Sequence, residues 1–244
     1  MPDIIKNKIE PRVEIMNLDE ETSKVYLYGI IRKKTWFDND ESEFISAKRV
    51  KNILDKTKGK DLTIHMNSNG GDVYESIAIS NLIKDYDGKV DIYIDAMAAS
   101  GASIIATAAD NVYMYINSQQ MIHKAWTFAS GNSDDLKKIS NDLEKIDDSV
   151  SSSYMKRFVG EKEDLIKLIE QETYLTAEEC LELGLCDQVI DLDEDDEEEE
   201  TQNNIKEKIL NKYKGNVANK IRNSKKVNNN DENQEKSLFK NFRR

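Results

Sequence analysis

Only two histidines occur in this chain, which narrows where a base for neutral-pH chemistry can sit. Imidazole is the side chain whose ordinary pKa lies nearest neutrality, so it is the usual partner of a hydroxyl nucleophile. His123 closes the apolar stretch Gln119-Gln-Met-Ile122, whereas His65 lies inside the strand-like run Leu62–Met66, where a packed, satisfied ring is the ordinary outcome. The hydroxyl best placed to attack is Ser100, in Met97-Ala-Ala-Ser-Gly-Ala-Ser103. It opens a helix directly after a strand, among residues of minimal bulk, where the helix dipole favours developing negative charge. A helix-opening serine is also an ordinary N-cap, and the Gly-x-Ser-x-Gly pattern of a nucleophile elbow is absent. Ser103 falls inside the first turn and is the weaker candidate. A third feature is Asn67-Ser-Asn-Gly-Gly-Asp72, again after a strand. Paired glycines let backbone N–H groups approach a ligand with no Cβ in the way, and a turn into a helix aims them at negative charge. The same glycines could simply make the turn.

The elements that must position these groups alternate between strand and helix. Strands are expected at 25–31, 62–66, 90–94, 111–116 and 186–190. Helices are expected at 46–58, from Asp72 to near Gly88, at 101–109 and at 176–183, the last with Thr176 and Glu179 as a capping box and Gly184 as its stop. Successive strand–helix–strand units predict an α/β domain with a mainly parallel sheet. Leu136, Ile139, Leu143, Ile146, Val150, Tyr154 and Phe158 recur at threes and fours, which predicts one long helix over 133–158 with a single apolar stripe. Such a helix either lies on the sheet or projects toward a neighbouring subunit.

Charge divides the 244 residues unevenly. Residues 191–200 carry nine acids and no base, whereas 201–244 carry 12 bases against four acids. The expected organisation is a domain over 1–190, with 1–20 as a flexible lead-in, and an unpacked tail, acidic then basic, over 191–244. A net charge of −12 argues against nucleic acid as a default partner. No apolar run is long enough for a membrane span, and the first residues lack the apolar core of a signal peptide. Cys180 and Cys186 have no histidine nearby to complete a zinc site, so neither metal nor cofactor is expected, and a reduced, cytoplasmic setting is the simplest reading.

Four segments in register resemble the Clp-type proteolytic subunit, a serine peptidase of the crotonase-like fold. They are Asn-Ser-x-Gly-Gly at 67–71, Met-Ala-Ala-Ser-x-Ala at 97–102, Met-Ile-His at 121–123, and Tyr-Leu-Thr-Ala-Glu-Glu with Gly-Leu-Cys-Asp between 174 and 187. The resemblance implies Ser100 as nucleophile, His123 as general base, and the backbone N–H groups of Gly71 and Gly101 as oxyanion hole. Gly70 and the segment from Lys124 through Ala125 and Trp126 to Ser130 would line the cleft, where an extended substrate pairs as an added strand. It further implies a homo-oligomeric ring, one or two stacked, acting on peptide and protein substrates.

The match has departures. Where the family places an aspartate four residues before its Ser/Thr-Ala-x-Glu motif, this chain has Glu172, one methylene longer but able to orient His123. Glu170, Asp134 and Asp135 are the other carboxylates open to that role. Asn69 replaces the usual proline of the Gly-Gly turn, and Lys124 replaces the common glutamine after the histidine. With the charged tail, these changes resemble the Clp-like prohead (head-maturation) proteases of tailed bacteriophages, which would place the chain in host cytoplasm, acting on scaffold or capsid proteins. A separate ATPase partner is left open. Competing readings are an inactive ring or scaffold component, a housekeeping Clp subunit, an acyl-CoA enzyme of the same superfamily, and a Ser–Lys signal-peptide peptidase.

Overall fold

The computed structural model describes residues 9–16, 21–38 and 43–191. Expectations for the tail beyond 191 therefore lie outside the described residues. Among the described residues, eight strands and six helices follow the chain as β1 (Arg12–Met16), β2 (Thr22–Ile31), α1 (Ala47–Lys56), β3 (Asp61–Gly71), α2 (Val73–Lys84), β4 (Val90–Ala99), α3 (Gly101–Ala106), β5 (Asn111–Tyr115), β6 (Gln119–Ile122), α4 (Ser133–Tyr154), α5 (Lys162–Glu170), β7 (Thr173–Thr176), α6 (Ala177–Glu182) and β8 (Gln188–Ile190).

The sheet runs β1-β2-β3-β4-β5-β8, and every pairing along it is parallel except β1 with β2. β1 lies inside the stretch expected as a flexible lead-in. Side chains alternate across a strand, so Val25, Leu27 and Ile31 of β2, Leu62, Ile64 and Met66 of β3, and Val90, Ile92 and Ile94 of β4 all point into one core. Val50, Ile53 and Leu54 of α1, Ile79 and Ile83 of α2, and Ile104 and Ile105 of α3 close over it. Helices α1 and α2 start where the sequence supplies a cap: Ser46 accepts from the Arg49 N–H, and Asp72 from the Tyr74 and Glu75 N–H groups.

The sheet forks at β4, and the fork determines where chemistry can occur. Residues 91–94 pair with β5, whereas Met97–Ala99 pair with Gln119–Met121 of β6. β6 in turn pairs antiparallel with β7, from Gln119 opposite Thr176 to Ile122 opposite Thr173. The carboxyl ends of β3, β4 and β6 thus converge, the position where open α/β sheets bind ligands.

The expected long helix ends at Tyr154; Phe158 lies past it but is buried in the same core. Val150, Ser151, Ser153 and Tyr154 of α4 are buried and Ile146 packs partly against the core, while the first turns of the helix are largely exposed. The C-terminal part of the helix lies on the domain, and its N-terminal part is exposed.

Candidate active site

Ser100 sits at the β4–α3 junction with φ 54° and ψ −121°. Positive φ is rare for a residue with a Cβ and costs about 1–3 kcal/mol, so the surroundings must impose it. They do so from three sides. The Ser100 N–H donates to the Met121 carbonyl of β6 at 2.7 Å. Its own carbonyl accepts from Ser103 Oγ at 2.6 Å, and Ser103 Oγ shares a 2.7 Å hydrogen bond with Tyr154 Oη of α4. Gly70 packs so closely that a Cβ there would lie 2.4 Å from the Ala99 carbonyl oxygen and 2.8 Å from Ser100 Cβ. The Ser100 side chain makes no capping bond to α3, so the N-cap reading does not describe it. Its hydroxyl is turned instead to His123, whose Nε2 lies 2.7 Å from Oγ.

Two corrections concern neighbouring segments. Asn67–Gly71 is not a turn but the last part of β3, paired with β2 from Asn67 opposite Tyr28 to Gly71 opposite Ile31. Asp72, rather than Gly71, donates to the Ile31 carbonyl at 2.8 Å, so the Gly71 N–H faces away from β2. A Cβ built on Gly101 would lie 3.6 Å from the Gly71 nitrogen, which puts the two backbones side by side next to Ser100. Ser103 is committed to bracing the elbow and to Tyr154, so it is not a second nucleophile.

The carboxylates behave differently from one another. Glu172 is exposed, has φ 50°, and makes no hydrogen bond with His123. It stands one step past the end of the β6–β7 ladder, in the place that continuing the register would set opposite His123. Glu170 is taken by Lys124, Nζ to Oε1 at 3.0 Å. Asp135 accepts from the Asn132 N–H in the capping box of α4, and Asp134 lies in the same first turn. No carboxylate among the described residues touches the imidazole Nδ1.

A cleft of about 950 Å³ runs past Ser100 and His123. Gly70, Gly71 and Tyr74 come to it from the β3–α2 junction, Lys124 and Trp126 from the segment after β6, and Ile146 and Val150 from α4. Ala125 borders it too, its N–H donating to Asp147 Oδ1 at 2.8 Å. Trp126 is 63% exposed and edge-on to Phe128. Sequence reasoning passed over Tyr154 and Asp147, since an α4 stripe position and a helical aspartate carry no motif.

The cysteines and the second histidine stand apart from the cleft. Both cysteines are free and buried, and burial pushes the Cys186 thiol up to about 12 and Cys180 upward as well, away from thiolate reactivity. Among the described residues no cluster of three or more His, Cys, Asp or Glu could hold a metal ion, and no helix is long and apolar enough to cross a membrane. His65 is bonded to Asp95 at 2.8 Å and takes no part in the cleft.

Comparison with known proteins bears on the family and the fold. A family profile described as Clp protease matches residues 21–193. The ATP-dependent Clp protease proteolytic subunit of Deinococcus radiodurans is 30% identical over 134 residues, covering 54% of this chain and 66% of that subunit. A ClpP1 mutant from Listeria monocytogenes superposes with a TM-score of 0.60 at 20% identity, covering 72% of this chain and 94% of that one, a likeness of fold. The profile spans the whole fork, from the start of β2 past β8, and the chain belongs to the Clp protease family of serine-type peptidases.

Proposed function

We propose that the chain is a serine endopeptidase in which Ser100 attacks, His123 carries the proton, and the N–H groups of Gly71 and Gly101 hold the oxyanion. The observation that carries this reading is the 2.7 Å contact between His123 Nε2 and Ser100 Oγ on a backbone strained to present that hydroxyl. Nε2 accepts the hydroxyl proton as Oγ bonds to the peptide carbonyl carbon, and the carbonyl oxygen becomes an oxyanion beside two glycine amides. The imidazolium then protonates the departing amine, and water releases the acyl group by the same route. A carboxylate at Nδ1 would stabilise the imidazolium, and Glu172 is the residue in line for it: one further rung of β6–β7 pairing sets it opposite His123. An inactive scaffold of the same fold has no use for so short a serine–histidine contact or so strained an elbow, which favours the enzyme.

The substrate of this reading is an extended peptide lying along residues 124–130 as an added strand. Assembly into a ring is supported by α4, whose exposed stripe begins at Leu136, 45% accessible, and needs a cover in water. The finer role we favour is head maturation in a tailed phage, with scaffold or capsid segments as substrates. Its supports are sequence features: Asn69, Lys124, Glu172 and the acidic-then-basic tail.

The test is direct. Wild-type protein treated with a fluorophosphonate should label at one site. Labelling should vanish in Ser100→Ala and fall by at least about a thousandfold in His123→Ala. Wild-type protein that stays unlabelled would refute the peptidase.

A further inference from the structure

We infer that Asp147 is a positioning residue for the peptide-binding edge of the cleft, an inference that rests on the peptidase reading above. Residues 123–132 belong to no helix or strand, yet they carry both the imidazole and the edge that a peptide would follow. Besides the Asn132 cap at the start of α4, three contacts tie this segment to the body. His123 meets Ser100, and Lys124 meets Glu170, a pair half exposed on both sides. Those two hold side chains. The third, Ala125 N–H to Asp147 Oδ1 at 2.8 Å, holds the main chain itself.

The placement of Asp147 makes that contact specific. It lies on the α4 face that borders the cleft, one turn from Leu143 and close to Ile146 and Val150, which are apolar. A carboxylate in that stripe is half-buried while Asp148 and Ser149 beside it are exposed. Its charge also reaches Lys124, whose ammonium is held above its ordinary range by Glu170 first, with Asp147 and Glu144 adding to it. A charged acceptor on a backbone amide is a strong hydrogen bond that fixes direction as well as distance.

Direction is what an added strand needs. Along an extended backbone, successive amides point to opposite sides. With the Ala125 amide turned to α4 and occupied, the amides of Lys124 and Trp126 are the ones free to face a substrate. Asp147 thereby sets which backbone groups the edge offers and keeps the segment from rotating by one residue. It acts through Ala125 and touches no reacting atom.

Two covalent probes of Ser100 separate this role from a structural one. A small alkyl fluorophosphonate needs only the serine and histidine, whereas a tripeptidyl phosphonate must also pair along the edge. For Asp147→Ala we expect the inhibition constant of the peptidyl probe to rise about tenfold, from loss of one charge-assisted hydrogen bond. Its limiting inactivation rate and the small-probe rate should stay within about threefold of wild type. Asp147→Asn, which keeps an oxygen acceptor, should recover most of the loss. Small-probe labelling doubles as the folding control, and Asp147→Leu gives the same readout should the alanine variant not fold. An unchanged peptidyl inhibition constant, an equal slowing of both probes, or a wild type that never saturates with the peptidyl probe would overturn the role of Asp147 alone. A wild type inert to both probes removes the peptidase reading, and this inference with it.

Discussion

The two histidines lie in opposite surroundings. His65 has a carboxylate and no hydroxyl nucleophile: its Nδ1 bonds Asp95 at 2.8 Å, and its ring is stacked between Tyr26 and Tyr93. His123 has the hydroxyl and no carboxylate. A His–Asp pair is often taken as the mark of a catalytic centre, yet here it belongs to an aromatic row across the sheet. Tyr26, His65, Tyr93 and Tyr113 are direct register partners on β2, β3, β4 and β5. What distinguishes His123 is the backbone opposite it. The rigid elbow at Ser100 makes a hydroxyl available, and that elbow depends on Gly70, β6 and Tyr154.

The contrast breaks most completely if the elbow is removed. Gly70 and Gly59 share φ +83°, but a Cβ at Gly59 would meet nothing within 4 Å, whereas one at Gly70 would strike the Ala99 carbonyl and the Gly101 nitrogen. Gly59→Ala should therefore cost only the left-handed strain, about 1 kcal/mol, and leave Ser100 labelling intact. Gly70→Ala adds a backbone collision that no rotamer relieves, for a total of about 3 kcal/mol or more and labelling lost. Chemical denaturation with probe labelling reads both. Equal effects at the two glycines would mean that the elbow does not need the close approach.

A smaller effect concerns the carboxylate that His123 lacks. Glu172→Gln should slow peptide turnover about a hundredfold if the β6–β7 ladder gains its next rung when substrate binds. Glu170→Gln, which merely frees Lys124, should stay within about threefold. Equal losses would show that the third group is misassigned. Ser100 and Glu172 are the two non-glycine residues with positive φ among those described.

How much of this could be read beforehand depended on the kind of signal. The serine, the histidine and the strand–helix alternation were legible because each rests on residue type at a fixed place. Gly70 and Gly71 were read as a turn because polarity rises after Met66. β3 nevertheless continues, with Ser68 and Gly70 small enough to be buried where larger side chains would not fit. The four-residue strands β6 and β7 were missed because each is held by its partner and not by its own periodicity. Helix α5 was there to be read from Leu165 and Ile169, one turn apart and both buried, and was passed over in a charged run. Nothing in the residue types could have told that Glu172 would adopt a left-handed backbone and make no hydrogen bond to the imidazole.

The least disruptive change falls on the other histidine, and it divides the ring from its hydrogen bond. His65→Ala removes two stacking partners, at 5.0 and 5.4 Å between centroids, and one bond to Asp95. Asp95 still accepts from Tyr28 Oη, so no carboxylate is stranded. The cost should be about 2 kcal/mol, or a melting temperature lower by about 5 °C. His65→Phe keeps a ring between the tyrosines and gives up only the hydrogen bond, so about half of that loss should return. Ser100 labelling should be unchanged within about twofold in both variants, because the Asp95 pair lies outside the cleft. If the phenylalanine variant melts as low as the alanine one, the Asp95 bond and not the aromatic row is what His65 contributes. If either variant slows labelling substantially, the aromatic row of the sheet and the Ser100 elbow are coupled through β4, and the two histidines are not independent.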